Sequence, residues 1–473
     1  MTAAASEPIA CRVHIRPVVG DIALLSLGRI VSRQLHPAIL GGNVSVEGYS
    51  LFCACPVDRF EFTEDSHPLE NLQKTLAGYR LENSSSFSNV MPLPGWIGYF
   101  SYDLGRYLEC VHNHAKDDLR MPLVHLAFYD AAIIYNHNTR QTHLGVLEYT
   151  GQKESVEQKF ARLEQWIAQS QEYILELPPR LPRADTSELA FQTNMTQAEY
   201  MRSLEWIGRH ILDGDVYQIN FSQRFECPFR ADPATLFLWQ NTYNPSPYAA
   251  YLATNERAIV SASPELFLQI RGQDILTRPI KGTRPRRLCE CGQDAVEFNR
   301  RRYEELLHSE KDKAELMMIT DLQRNDLARI CIPGTRHVRH PRKIEAYPTV
   351  FHAYSEVAGT LPRANNPTLF CDILRATFPG GSITGAPKIR AMQLIEELEP
   401  TRRGVYTGCI GHIGINFDAT LNIAIRTIVI QHGMAYTQTG GGIVADSDPQ
   451  AEWDETLVKA EALLDCIRAV DKN

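Results

Sequence analysis

Tyr406–Phe417 (YTGCIGHIGINF) and Leu421–Ile430 (LNIAIRTIVI) are two apolar, partly β-branched runs with only Asp418, Ala419 and Thr420 between them. That gap cannot hold a helix, so two strand-like segments follow one another directly. Working outward, Tyr217–Phe225 and Arg257–Leu268 also read as strands, whereas Ala295–Ile330, Pro387–Glu397 and Pro449–Ala469 are helical in pattern. Strands and helices do not alternate regularly, which argues against a Rossmann or barrel α/β arrangement and predicts an α+β fold.

Upstream, short β-like runs with turn signals (Leu51–Pro56, Trp96–Tyr102, Ala131–Tyr135) predict a sheet-rich N-terminal lobe over residues 1–177. Its last segment, Ser155–Leu177, places Val156, Phe160, Leu163, Trp166 and Ile167 at helical spacing and then meets Pro178, Pro179 and Pro182, which cannot continue a helix. Residues 178–192 are therefore the expected linker. A second lobe, 193–470, opens at Thr196 with Glu199 three residues later, a capping box before the amphipathic run Tyr200, Leu204, Ile207 and Ile211, closed by Gly214.

With 473 residues, 44% of them hydrophobic, the chain can bury a large core. The N-terminus lacks a basic segment followed by a long apolar one, and runs such as Ala131–Tyr135 are too short to span a bilayer, so a cytoplasmic protein without membrane contact is expected. The eleven cysteines form no regular framework, and the Cys53/Cys55 and Cys289/Cys291 pairs lack zinc-site partners; reduced thiols are expected. A net charge of −8 excludes a nucleic-acid-binding surface, so any anionic ligand must be held by local cations.

Several residues carry possible chemistry. Glu315 lies in a helical run beside Leu316, Met317 and Ile319, which read as buried, and a carboxylate among core positions needs a partner. Glu452, Glu455 and Lys459 fall at i, i+3 and i+7 and share one helix face. Hard oxygen donors without a His or Cys cluster suit Mg²⁺, although helix glutamates are more often simply solvated. Gly440-Gly441-Gly442 reads as a turn, either an anion-binding nest or a plain one. Arg426, inside the strand-like Ile423–Thr427, should find a carboxylate or phosphate partner, or a structural Asp. Lys281, between a Pro-anchored strand and Gly282, could become a nucleophile if desolvation lowered its pKa.

Gly408-Cys409-Ile410-Gly411-His412 is similar to the nucleophile elbow of class I glutamine amidotransferases. That elbow requires a helix after the turn, and the residues that follow read as strand, so Cys409 is expected to be a packed thiol.

Taken in order, Asn194–Thr196, Gly214–Asn220, Ser263–Glu265, Pro279–Thr283, Ala314–Asp326, Phe378–Arg390 and Gly440–Thr456 resemble the chorismate-utilising enzymes: anthranilate, aminodeoxychorismate, isochorismate and salicylate synthases. The resemblance implies two large antiparallel sheets packed on each other with helices outside, and an active site in the C-terminal part. It implies Glu315 and Glu455 as Mg²⁺ ligands, with Glu452 and Lys459 nearby and the metal on the ring carboxylate of chorismate. Tyr406, Arg426 and the backbone of Gly440, Gly441 and Gly442 would hold the enolpyruvyl carboxylate, and Gly282, Thr283, His352 and Ser382 would line the pocket. Glu265 matches the general acid that protonates the departing 4-hydroxyl.

Two positions choose among the family's reactions. Pro279–Thr283 reads PIKGT, the form usual in aminodeoxychorismate synthases, where anthranilate synthases usually have Ala in place of Lys281. Gln218 stands where water-adding members carry a lysine base. The implied reaction is amination of chorismate at C4 through a covalent Lys281 adduct, on the way to 4-aminobenzoate and folate. Ammonia would come from glutamine through a separate amidotransferase subunit. Gly98–Arg106 (GYFSYDLGR) resembles the same group. The alternatives are amination at C2, as in anthranilate synthase component I, or a regulatory subunit that binds chorismate or an amino acid without turnover. Ala38–Gly42 departs from the tryptophan-binding motif of some relatives, so no tryptophan site is carried over.

Overall fold

The computed structural model describes residues 7–42, 48–64, 67–82, 91–180, 191–287, 293–363 and 366–471. Two sheets dominate it, one of 13 strands and one of 10, and every pairing between their strands is antiparallel except Ile9–Val18 with Tyr79–Leu81. Both sheets draw on both ends of the chain. In the larger, Tyr248–Ala253 pairs with Ala38–Leu40; in the smaller, Cys409–Gly414 pairs with Gly95–Phe100. The residues before 178 and after 193 thus share two continuous sheets. Among residues 178–192, positions 181–190 lie outside the described residues, as does the Cys289/Cys291 pair.

Three apolar layers hold the sheets. Ile97, Tyr99, Ile134, Ala250, Ile259, Ile410 and Val429 form the layer where strands of the two sheets meet. On the larger sheet, Leu24–Ser32, Val156–Glu172, Pro233–Tyr243 and Pro449–Asp471 contribute to a second cluster, and on the smaller, Pro68–Leu76 and Pro367–Thr377 contribute to a third. This is the expected α+β architecture, each sheet burying one face against the other and one against helices.

Local chemistry explains most element ends. Ser155 and Gln158 form a reciprocal capping box at the start of Val156–Glu172, and Thr196 and Glu199 do the same for Gln197–Leu212, which Gly214 ends at φ +81°. The long helix expected over 295–330 is instead two, Gln293–His308 and Glu310–Ala328. Ser309 leaves the helical region (φ −65°, ψ 106°) and its hydroxyl accepts from the N–H of Asp312, capping the second helix. Apolar spacing alone does not reveal such a break. Among the described residues no helix is long and apolar enough to cross a membrane.

Candidate active site

Lys281 lies in Ile280–Pro285, a strand paired with Val350–Thr360 in the smaller sheet. The next residue, Gly282, has φ +92°, and a Cβ there would lie 2.8 Å from Leu306 and 3.0 Å from Asp312. Glycine is therefore required for the strand to press against the junction of the two helices that Ser309 separates. Arg284 reinforces that contact with an ion pair to Asp312 at 2.9 Å. Lys281 has no hydrogen bond or ion pair among the described residues. Desolvation lowers its pKa; the nearby Lys459 acts in the same direction, while Glu315, Glu265 and Glu455 oppose it.

Across from Lys281 runs Met434–Ile443, paired with Gln218–Pro228 in the larger sheet. Gly440, Gly441 and Gly442 belong to this strand, so the expected turn is not formed. Their role is close approach. A Cβ on Gly442 would lie 2.5 Å from Gln218 Nε2 and 3.2 Å from Lys281 Nζ, one on Gly441 2.8 Å from Glu452 Oε2, and one on Gly440 2.4 Å from the Phe221 carbonyl oxygen. The glycines thereby let Gln218, Lys281 and Glu452 approach this strand closely.

Glu265, 4% exposed, is lifted to about 7 by desolvation, against the opposing pull of Ser382, Lys281 and the Ile280 N–H. His352 sits opposite Thr283, whose hydroxyl is 2.8 Å from Nδ1. Burial, aided by nearby Arg426, pushes His352 down to about 3, so its imidazole is neutral. Arg426 is not within a strand: it precedes Thr427–Gln431 at φ +50°. It is half-buried, its pKa is lowered by desolvation, and neither a structural Asp nor any other carboxylate pairs with it among the described residues. Tyr406 is buried, and desolvation raises it to about 12, against the pull of Arg403, Asn220 and Ser222.

Among the described residues, five buried polar atoms around Lys281 make no hydrogen bond within the distance and angle of a well-formed one: Gln218 Oε1 and Nε2, Glu265 Oε1, His352 Nε2 and Ser382 Oγ, although Ser382 lies close enough to act on the Glu265 carboxyl. Burying such groups unpaired costs roughly 1–3 kcal/mol each. With Arg426, which has no side-chain partner among the described residues, they form a set of hydrogen-bonding groups suited to a polar, anionic ligand.

The carboxylates lie on two helices at the rim. Glu315, on Glu310–Ala328, is 17% exposed and 3.9 Å from Lys311; Leu316 and Ile319 are buried beside it, but Met317, expected inside, is 66% exposed. On Pro449–Asp471, Glu452 is 6% exposed, accepts from Ser447 Oγ at 2.7 Å, and is raised by desolvation. Desolvation also pushes Glu455 upward, but Lys459 at 2.7 Å, Lys311 and Lys281 outweigh it and hold the carboxyl low. Lys459 also donates to the Gly440 carbonyl at 2.8 Å.

Among the described residues no three acids, histidines or cysteines converge closely enough to hold a metal. Glu315 and Glu455, which both act on Lys281, are the two carboxylates that could hold a Mg²⁺ whose shell is completed by water and substrate oxygens.

Cys409 is fully buried in the strand Cys409–Gly414, its thiol pushed up by desolvation, so it is the packed thiol expected. A separate cavity lies elsewhere, lined by Leu40, Gly41, Tyr49, Tyr248, Arg271 and His412, and none of the candidate residues borders it. Sequence reasoning gave no role to Asn220, Ser222 or Lys311, although Lys311 stands one helical turn before Glu315, a spacing that could have marked it.

The profile of the chorismate binding enzyme family matches residues 45–465. Aminodeoxychorismate synthase component 1 of Klebsiella aerogenes is 38% identical over 404 residues, 85% of this chain and 83% of that protein. Anthranilate synthase component 1 of Aquifex aeolicus is 33% identical over 420 residues, 88% of this chain and 82% of that protein. The crystal structure of anthranilate synthase component I from Streptococcus pneumoniae superposes with a TM-score of 0.73 at 28% identity, covering 89% of this chain and 93% of that one.

Proposed function

The chain belongs to the chorismate-binding enzyme family, as an enzyme of the aminodeoxychorismate and anthranilate synthase component I type, and we propose that it aminates chorismate at C4 through a covalent adduct on Lys281. The product is 4-amino-4-deoxychorismate, a precursor of 4-aminobenzoate and folate. A separate glutamine amidotransferase subunit supplies the ammonia, in keeping with the component 1 names of the relatives.

The observation that carries this reading is the Lys281 amine, which has no partner among the described residues, is shifted toward its neutral form, and stands beside an acid lifted to about 7. A neutral amine is the nucleophilic form, and a protonated carboxyl is the form that can release a proton to a leaving hydroxyl. Lys281 Nζ attacks C2 of chorismate; the ring double bonds shift and the C4 hydroxyl departs, taking the Glu265 proton and leaving as water. The amine then gives its extra proton to the Glu265 carboxylate. Ammonia attacks C4, the double bonds shift back, and the C2–N bond breaks as the lysine nitrogen takes that proton, which releases Lys281 as the free amine; the new C4 ammonium returns a proton to Glu265. Arg426, Tyr406 and the Gly440–Gly442 backbone bind the enolpyruvyl carboxylate, while Gln218, Gly282, Thr283, His352, Ser382 and Lys459 surround the ring. Glu315 and Glu455, with Glu452 close by, would hold Mg²⁺, which would supply positive charge to the ring carboxylate.

Gln218 has no basic nitrogen to activate water, which supports amination over hydration. The test is mass spectrometry of the product from chorismate, Mg²⁺ and an ammonium salt. Aminodeoxychorismate is expected; fluorescent anthranilate would place the nitrogen at C2 and overturn the C4 assignment.

A further inference from the structure

We propose that the buried Glu399–Arg403 ion pair is the positioning device that sets the shape of the chorismate pocket, an inference that rests on the function proposed above. The two side chains are 3% and 1% exposed, and they meet through two contacts, Nε to Oε2 at 2.8 Å and Nη2 to Oε1 at 2.7 Å.

The remaining donors and acceptors reach three separate segments of the cleft wall. Arg403 Nη2 donates to the Asn220 carbonyl at 2.6 Å, on the strand that carries Gln218. Nη1 donates to the Ile383 carbonyl at 2.9 Å, the residue after Ser382, and to Thr407 Oγ1 at 3.2 Å, the residue after Tyr406. Glu399 Oε1 accepts from both the N–H and the hydroxyl of Ser222, at 2.9 and 2.8 Å. The guanidinium also lies 4.6 Å from the ring centroid of Tyr102 and 5.8 Å from that of Tyr406.

The turn after Arg403 is anchored from the N-terminal half of the chain. Asp103 Oδ2 accepts from the Gly404 N–H at 2.8 Å, and Ser101 Oγ donates to the Gly404 carbonyl at 2.8 Å. The segment Gly98–Arg106 thereby reaches the cleft through Arg403.

A buried ion pair often adds little net stability over an apolar pair of the same size. What an apolar pair lacks is directional contact to Asn220, Ile383, Thr407 and Ser222 at once. Because these contacts engage both side chains within the protein, the pair acts through Gln218, Ser382 and Tyr406 and is a positioning pair. Lys281 lies on the other sheet and Glu265 in the short crossover between the two sheets, and among the described residues neither side chain has a hydrogen bond to the pair, so disturbance of the wall should alter binding more than chemistry.

The test compares Glu399→Gln and the milder Ser222→Ala with wild type, using ammonium as nitrogen donor well below each melting temperature. The inference predicts a rise in KM for chorismate of about tenfold for Glu399→Gln and about threefold for Ser222→Ala, with kcat changed less than either. Should Glu399→Gln fail to fold, Ser222→Ala decides. Lowered melting temperatures with unchanged KM would reduce the pair to a structural element and overturn the inference. A wild type that does not bind chorismate would overturn the functional reading and the inference together.

Discussion

Burial lifts the Glu265 carboxyl to about 7, so around neutral pH its proton is present on a substantial fraction of molecules. The sign follows from the direction of the shift: a general acid works when protonated, so activity carried by Glu265 is lost as pH rises through that value. Lys281 has the opposite requirement, since it attacks as the free amine. Whichever of the two titrates first, a plot of log kcat/KM against pH should bend near 7 where Glu265 loses its proton. In Glu265→Gln the bend should disappear and the residual rate, lowered by about 10²–10⁴, should keep rising with pH until Lys281 is neutral. A bend that survives in this variant would assign the proton elsewhere. Residues of this kind were legible in the sequence because their motifs are dense, as with Lys281 in PIKGT. Glu399 and Arg403 were not. Glu455 and Lys459 have the same i, i+4 spacing, yet that pair is 53% and 45% exposed while Glu399 and Arg403 are 3% and 1%. Only packing distinguishes a solvated pair from a buried hub.

Elements set the geometry of the cleft more than single side chains do. The glycine run was legible as a feature and misread as a turn, because three glycines suit a turn as well as a strand whose neighbours crowd it. Its function as close-approach strand gives a direct expectation for Gly442→Ala. The new methyl would stand 2.5 Å from Gln218 Nε2 and 3.2 Å from Lys281 Nζ, both ends of flexible side chains, so the fold should tolerate it while the cleft narrows. Chorismate affinity, measured by calorimetry, should fall at least about tenfold with little change in melting temperature. Unchanged affinity would remove Gly442 from the pocket wall. The break at Ser309 belongs to the same scale. Apolar spacing continues through it, yet it places Leu306 and Asp312 against Gly282 and so fixes the Lys281 strand.

At the scale of the whole molecule, the α+β class was legible from the irregular succession of strands and helices and the packed sheets only through the family resemblance, whereas the sheet order was not. Partners such as Ala38–Leu40 and Tyr248–Ala253 are far apart in the chain, and no local signal connects them. One consequence concerns the nitrogen source. Cys409, the one thiol in an amidotransferase-like setting, is fully buried in a strand, so this chain should use ammonium but not glutamine, and addition of an amidotransferase subunit should confer glutamine dependence. Glutamine-dependent turnover by the isolated chain, abolished by Cys409→Ser, would show that the glutaminase resides here.

The central claim is the covalent bond to Lys281. Incubation with chorismate and Mg²⁺ in the absence of ammonia, followed by acid quench and peptide mass mapping, should find the Lys281 peptide heavier by the mass of chorismate less one water, with the adduct lost on addition of ammonium and absent from Lys281→Ala. An unmodified Lys281 peptide from enzyme that goes on to form aminodeoxychorismate when ammonium is added, together with undiminished turnover by Lys281→Ala, would contradict it.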